Sequence, residues 1–243
     1  MSQAPLDGKS GRVKSLPYPD DPDIASTARA ELGARTSQRL RRNPMVSTIR
    51  NEKVEIFVRH GFLTPAECTD MIARIEADHI PSILFTEAKA DDYRTSTSCN
   101  LDPVDPLVEK LTRRIDALTG LPPLHGETIQ GQRYGVGQEY KPHHDYFPKL
   151  ADYWPRLRDS GGQRCWTAML YLNAVEAGGD TQFLQAGFMV PPRPGTLLVW
   201  NNMCADGSPN PDTLHAALPV ARGAKYVLTK WYRERPWSGN LRR

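Results

Sequence analysis

The chain has 243 residues, of which 39% are hydrophobic, and a formal net charge of +3. This length fits one catalytic domain with a tail, and the nearly balanced charge says little in favour of a polyanionic partner. Nowhere does the sequence approach the roughly 20 apolar residues that cross a bilayer. The N-terminus also lacks the apolar centre of a secretory signal, so we expect a cytoplasmic protein without a membrane partner.

The first segment, residues 1–50, is expected to be a mobile, partly helical basic extension, and residues 51–243 are expected to form the catalytic domain. The start of the extension is rich in Pro, Gly, Ser and Asp, a composition typical of disorder. Residues 32–51 contain five arginines and no acid, namely Arg35, Arg39, Arg41, Arg42 and Arg50. A solvated helix is the favoured interpretation, with contact to nucleic acid as the alternative.

Two helices carry clear start signals. Thr64 and Asp105 are typical N-cap residues, and each is followed by a proline, which favours the first helical position. Glu67 completes a capping box with Thr64. The second helix is expected to end near Gly120.

After Gly120 the hydrophobic pattern changes to short runs separated by Gly, Pro, Asn and Asp, which is typical of strands. A further strand is expected earlier, at residues 55–58. The later candidates are residues 128–134, 140–146, 165–172, 188–190, 196–200, 214–217 and 226–232. Helices followed by many strands indicate an α+β, mainly β domain in which the N-terminal helices pack on one sheet.

The four cysteines are widely spaced and form no Cys-x-x-Cys pair. This spacing gives no support to a zinc ribbon or a redox motif. Without an export signal we expect reduced thiols and no disulfide.

Three residues from two distant segments form a candidate metal site. In an extended "YKPHHDY" segment, side chains alternate between faces, so His143 and Asp145 point the same way and His144 points the opposite way. A third ligand must come from another strand, and His215 in the apolar "TLHAAL" segment can supply it. Two imidazoles and one carboxylate are the ligands that hold Fe(II) on three adjoining positions.

Lys225 lies ten residues after His215, at the start of the strand-like segment "KYVLTKWY". We expect its ammonium group to lie deeper in the same cavity. A compact cation there suits the far carboxylate of a dicarboxylic co-substrate.

These residues lie within segments that resemble the prolyl 4-hydroxylase-type 2-oxoglutarate/Fe(II)-dependent dioxygenases. The similar segments cover most of residues 54–233 and follow the order of that family: "EIFVRHGFLTPAECTDMI", "YRTSTS", "QRYGVGQEYKPHHDYF", "RCWTAMLYLNAVEAGGDTQF", "PPRPGTLLVWNN" and "LHAALPVARGAKYVLTKWY". The resemblance implies a double-stranded β-helix (jelly-roll or cupin-like), with the metal between its sheets.

By position, the resemblance implies that His143, Asp145 and His215 are the catalytic iron ligands. Residues of the 2-oxoglutarate pocket would be Lys225, Tyr134, Thr181 and Trp231, with Lys225 and Tyr134 on the distal carboxylate. Arg164 matches an arginine near the substrate channel. The polar segment 86–100 is similar to a loop that covers substrate, with Arg94 and Ser96 as substrate contacts, although an ordinary surface connection remains the alternative.

The activity implied is 2-oxoglutarate- and O2-dependent hydroxylation of an unactivated C–H bond, with release of succinate and CO2. The expected target is C4 of a prolyl residue in a peptide or protein, as in a procollagen-proline 4-dioxygenase, with Fe(II), 2-oxoglutarate and ascorbate as cofactors. Three alternatives stay open: a free amino acid or small metabolite as substrate, a nucleic-acid demethylase, and a non-catalytic binding module of the same fold. Such demethylases typically use arginine for the distal carboxylate, so Lys225 speaks against that alternative.

Overall fold

The computed structural model describes residues 17–82, 93–149 and 153–240. Part of the expected substrate loop, residues 86–92, lies outside these ranges. No helix among the described residues is long and apolar enough to span a membrane.

An eight-stranded sheet forms the body of the molecule. Its strands, numbered in chain order, are β1 (Ser47–Ile49), β2 (Ile56–Arg59), β3 (Ile80–Pro81), β4 (Thr97–Asn100), β5 (Gln130–Tyr134), β7 (Arg164–Tyr171), β11 (Thr196–Asn201) and β14 (Lys225–Arg233). They lie in the order β1-β2-β11-β7-β14-β5-β4-β3, and all of the strand pairs are antiparallel.

A four-stranded sheet, with the order β10-β9-β12-β6, faces the large one. Its strands are β6 (Tyr140–His143), β9 (Thr181–Phe183), β10 (Phe188–Val190) and β12 (His215–Ala217). A small hairpin pairs β8 (Ala177–Gly178) with β13 (Val220–Arg222). The expected mainly β, double-stranded β-helix architecture is confirmed.

Four α-helices lie within the described residues: α1 (Thr27–Arg42), α2 (Pro65–Ala77), α3 (Pro106–Thr119) and α4 (Trp154–Asp159). The expected capping is confirmed, because Thr64 and Glu67 form a reciprocal capping box and the Asp105 side chain accepts from the first turn of α3. Helix α3 ends at Gly120, whose φ of 71° is left-handed and suits glycine.

The large sheet is buried on both faces because its strands alternate between two cores. On β11, Leu197 and Val199 join the core beneath helices α1, α2 and α3, whereas Leu198 and Trp200 point into the core between the sheets. Continuous apolar strands such as "TLLVW" follow from this double burial. The metal site lies at the inter-sheet core, away from the helices.

The N-terminal segment is not the free extension that we expected, because residues 17–50 include a helix packed on the domain. Leu32 and Leu40 of α1 are buried in the main core. Arg29, 1% exposed, lies with its Nε 3.7 Å from the Glu234 carboxylate near the C-terminal end. The composition of the N-terminal segment alone does not reveal a contact with a residue that is distant in sequence. The domain boundary at residue 50 itself stays a prediction.

Two of the basic residues of this segment are used within the fold. Arg39 donates to the carbonyl oxygens of Ala117 and Leu118 at the end of α3. Arg41 pairs with Glu55 at 2.7 Å. All four cysteines are free thiols, as expected.

The Arg29–Glu234 contact leads to a stability prediction. Arg29→Ala should lower the free energy of unfolding by about 3 kcal/mol, because it leaves the buried Glu234 carboxylate without this partner. Urea unfolding followed by circular dichroism measures the change. Arg35→Ala, at an exposed position of the same helix, is the matched control and should change stability by less than about 0.5 kcal/mol. Equal stability of the two variants would contradict the structural importance of this contact.

Candidate metal centre and co-substrate pocket

The register between β6 and β12 places two candidate ligands side by side. His143 and His215 are direct cross-strand partners, and their ring centroids are 4.3 Å apart. Asp145 follows β6, and its Oδ2 lies 3.8 Å from Nε2 of His215. One donor atom from each of the three side chains lies within 4.8 Å of the others. The structure therefore brings together the three residues that the sequence singled out.

Backbone carbonyl groups orient both imidazoles. Nδ1 of His143 lies 2.8 Å from the carbonyl oxygen of Lys141, and Nδ1 of His215 lies 2.9 Å from that of Thr213. Because a carbonyl oxygen only accepts, each Nδ1 carries the proton and each Nε2 presents its lone pair. This tautomer is the one that a metal-binding histidine with an Nε2 ligand atom requires.

The carboxylate has its own support. Thr167, on β7, donates its hydroxyl to Oδ2 of Asp145 at 2.7 Å, and the Asn202 amide donates to the Thr167 hydroxyl at 3.0 Å. Both supporting residues are fully buried. Sequence reasoning missed them, although a threonine in the otherwise apolar segment "CWTAMLY" is a signal of a buried polar role.

The donor set fits Fe(II). Burial, together with the neighbouring His215 ring, holds the pKa of His143 well below its usual value, so this imidazole is neutral and able to bind metal. Two imidazoles and one carboxylate, all on one side, form the set typical of non-haem Fe(II) oxygenases.

A small cavity beside the three ligands ends at Lys225. The lysine is 1% exposed, and its Nζ lies 3.5 Å from the Thr181 hydroxyl and over the rings of Tyr134 and Tyr171, at 5.3 and 5.7 Å from their centroids. The Tyr171 hydroxyl donates to Thr181 at 2.7 Å. Thus Lys225, Tyr134 and Thr181, three of the four expected co-substrate residues, meet at one end of the cavity.

The electrostatics of this cavity favour an anion. Burial lowers the pKa of Lys225 to about 7, against the opposing effect of Asp180. An ammonium group that is desolvated in this way gains strongly from a carboxylate ligand. The pocket is therefore chemically suited to the distal carboxylate of 2-oxoglutarate.

Trp231, the fourth expected residue, lies where the cavity meets an outer cleft and lines both. Its indole Nε1 is buried and has no hydrogen-bond acceptor among the described residues. Along β14 the alternate residues Lys225, Val227, Thr229 and Trp231 face the cavity, whereas Leu228 and Tyr232 face the helices. One strand thus spans the site from the buried lysine to the cleft.

The outer cleft has a volume of about 710 Å³ and is rich in aromatic side chains. These are Tyr93, Tyr140, Tyr146, Phe147, Tyr153, Trp231 and Trp237. Arg94 also lines the cleft and lies over the Tyr140 ring at 4.9 Å. The hydroxyl of Ser96, a residue only 1% exposed, accepts a hydrogen bond from Nε of Arg94 at 3.0 Å and so helps to orient the guanidinium group.

Arg164 lies in the cleft wall, but its guanidinium is already paired. It donates to both carboxylate oxygens of Glu127 at 2.7 and 2.8 Å, and it stacks over Trp231 at 4.0 Å. Burial alone would raise the pKa of Glu127, but Arg164 and Arg233 hold it at about 2. Sequence reasoning missed this acid because a lone glutamate in a loop carries no local signal.

Comparisons with known proteins agree with the fold and the site. The model of the 2OG-Fe(II) oxygenase superfamily matches residues 129–233. Prolyl 4-hydroxylase 1 of Arabidopsis thaliana is 32% identical over 203 residues, which cover 75% of this chain and 70% of the relative. Prolyl 4-hydroxylase subunit alpha-3 of Bos taurus is 38% identical over 184 residues, or 74% of this chain. The chain spans only 34% of the length of that bovine subunit.

Among solved structures, the viral collagen prolyl hydroxylase of Paramecium Bursaria Chlorella virus-1, in a 2OG complex, superposes with a TM-score of 0.57 at 26% identity. The match covers 73% of this chain and 95% of the viral chain. The fold and the three-ligand site define a metal-dependent oxygenase of the double-stranded β-helix class. The chain belongs to the prolyl 4-hydroxylase family of 2OG-Fe(II) oxygenases.

The hydrogen bond from Thr167 to Asp145 leads to a prediction about metal affinity. Thr167→Val preserves the side-chain shape and removes the donor, so the carboxylate loses its orientation. We expect metal binding to weaken by about 10- to 100-fold. Titration calorimetry with Mn(II), a redox-stable substitute for Fe(II), measures the affinity.

Two histidine variants serve as references for the Mn(II) affinity of Thr167→Val. His143→Ala removes a ligand and should weaken Mn(II) binding more than Thr167→Val does. His144→Ala is the matched control, because Nε2 of His144 lies 2.9 Å from the carbonyl oxygen of Pro211 and not at the metal site. Unchanged Mn(II) affinity in Thr167→Val would contradict the supporting role of this residue.

Proposed function

We propose that this protein hydroxylates an unactivated C–H bond, C4 of a prolyl residue in a peptide or protein, with 2-oxoglutarate and O2 as co-substrates. One observation carries the proposal: the two imidazoles and the carboxylate converge beside a cavity that ends in a buried lysine. An Fe(II) donor set beside a dicarboxylate pocket provides the two binding sites that the reaction requires. The family membership supports the same chemistry.

Each part of the site has a defined task. His143, Asp145 and His215 would hold Fe(II), and Lys225, with Tyr134 and Thr181, would fix the far carboxylate of 2-oxoglutarate. When bound, Fe(II) and 2-oxoglutarate would supply the oxidising chemistry, with succinate and CO2 as by-products. The protein orients the reactants and keeps the charge of Lys225 away from water, which strengthens its attraction for the carboxylate.

The shape of the cleft supports a prolyl peptide over a small metabolite. An open, aromatic-lined cleft of about 710 Å³ is larger than a free amino acid needs. Flat aromatic side chains suit the extended polyproline II conformation of proline-rich segments. A free amino acid or small metabolite remains the second candidate because it would use the same iron and 2-oxoglutarate residues. Use of ascorbate and a cytoplasmic location stay predictions.

The basic segment gives little support to a nucleic-acid demethylase. Two of its five arginines are used in contacts within the fold, Arg39 with the end of α3 and Arg41 with Glu55. The cavity also holds a lysine where such demethylases are expected to use arginine. The presence of a complete ligand set likewise argues against a non-catalytic module.

Turnover tests the proposed reaction directly. The protein with Fe(II) and 2-oxoglutarate should release succinate in the presence of a proline-containing peptide pool, and one peptide should gain 16 Da on proline. Coupled enzymatic detection of succinate and tandem mass spectrometry measure the two products. His143→Ala should abolish both, whereas His144→Ala should retain them. Succinate release stimulated only by free amino acids would contradict the peptide substrate and keep the reaction class.

Lys225 leads to a prediction about pH dependence. In the free protein the pKa of Lys225 is about 7, and a bound carboxylate must raise it, so binding above pH 7 requires proton uptake. We therefore expect the KM for 2-oxoglutarate to rise by about tenfold between pH 6 and pH 8. Succinate release at varied 2-oxoglutarate concentration measures it.

Lys225→Met is the matched variant for this measurement. It should weaken 2-oxoglutarate use by about 100-fold and should lose the pH dependence that the lysine causes. Its Mn(II) affinity should stay close to that of the unaltered protein, because Lys225 is not a metal ligand. The same pH profile in both proteins would refute the assigned role.

A further inference from the structure

The N-terminal segment of residues 17–24, here called the strap, lies against the outer wall of the cleft. The Trp154 indole donates to the carbonyl oxygen of Asp20 at 2.6 Å. Asp21 pairs with Lys149 at 2.5 Å, and the Asp20 carboxylate pairs with Arg158 at 3.2 Å. These contacts join two parts of the chain that are about 130 residues apart in sequence.

The wall consists of residues 147–149 and 153–159. Phe147 and Tyr153 line the cleft directly. Phe147, Trp154 and Leu157 form a small buried cluster of their own, packed with Tyr153 and separate from the two main cores. The domain itself holds Phe147, because the Gln163 side chain forms two hydrogen bonds with its backbone and Arg164 and Arg233 lie over its ring. The strap contacts Lys149, Trp154 and Arg158, so it acts on the part of the wall that carries Tyr153.

Both ends of the strap are fixed to the start of α1. The Arg29 NH1 group donates to the carbonyl oxygen of Pro22 at 3.1 Å, and its NH2 group donates to that of Ile24. Ser26 donates its hydroxyl to the carbonyl oxygen of Pro17 at 2.5 Å, while its backbone N–H donates to the carbonyl oxygen of Asp206. Pro19 and Pro22 are buried, although their neighbours are mostly exposed. The strap is therefore held at α1 and reaches the cleft wall as an ordered segment.

We propose that the strap is a positioning element for substrate: it braces α4 and the adjoining Tyr153 of the cleft wall, and Asp20 and Asp21 are its positioning residues. This inference rests on the proposed function, because it assigns the strap to recognition of the peptide. The strap touches none of the metal ligands or co-substrate residues among its described contacts. It should therefore affect the KM for peptide and leave the KM for 2-oxoglutarate unchanged.

The test uses the full chain carrying both Asp20→Lys and Asp21→Lys. The two substitutions place like charges opposite Arg158 and Lys149 and leave the buried cluster unaltered. With decaproline as the probe, we expect the KM for peptide to rise by about fivefold with kcat retained, which corresponds to the replacement of two exposed ion pairs by like charges. Hydrogen exchange of the amides of α4 should become faster in the same protein.

Glu31→Lys is the matched control. It reverses the charge of an exposed carboxylate on the neighbouring helix α1, and the structure gives this carboxylate no hydrogen bond or ion pair among the described residues. It should behave like the unaltered protein in both measurements. An equal rise in KM in this control would overturn the proposal, because charge and not bracing would then be the cause.

The two readouts separate this inference from the proposed function. An unchanged KM for decaproline in the double variant, or unchanged exchange at α4, would overturn the bracing role. If the unaltered protein releases no succinate with decaproline, the preference for prolyl peptides fails. The exchange rate of α4 then decides alone: faster exchange in the double variant supports bracing, and equal exchange overturns it.

Discussion

The candidate site depends on the register between two short strands, β6 and β12. Their antiparallel pairing places His143 opposite His215, so that one inter-strand step of the backbone sets the distance between the imidazoles. A shift of one residue would send one ring to the opposite face of the sheet. The carbonyl groups of Lys141 and Thr213 then fix both ring orientations, which makes backbone geometry responsible for most of the ligand arrangement.

Two polar side chains near the metal site have incomplete hydrogen bonding within the described residues. Lys225 is buried against two tyrosine rings and one hydroxyl, and the indole of Trp231 has no acceptor among the described residues. By contrast, Glu127 is fully paired with Arg164 and Arg233. Unmatched donors thus lie where an anionic co-substrate is expected, and matched charges form the wall beside it.

Local sequence signals were sufficient for some parts of the structure and not for others. The starts of α2 and α3 were predictable because capping acts within a few residues of Thr64 and Asp105. The short strands β1, β3, β4, β8, β9 and β13 were missed, since they have two to four residues and owe their conformation to pairing. Strand β4 (Thr97–Asn100) lies within the segment 86–100 that was expected to be a loop. For the site, residue type and spacing identified the ligands and Lys225, whereas Thr167 and Glu127 act through contacts with distant residues that no local pattern encodes.

The alternation along β14 constrains how this protein can diverge. The strand carries Lys225 at one end and Trp231 six positions later, a span of roughly 20 Å at about 3.3 Å per residue. A single-codon insertion or deletion between them would swap the faces of every following side chain and would also turn Tyr232 out of the helix-side core. Homologous lineages can therefore change target preference through loops and point substitutions, but the length of this strand has to be inherited intact.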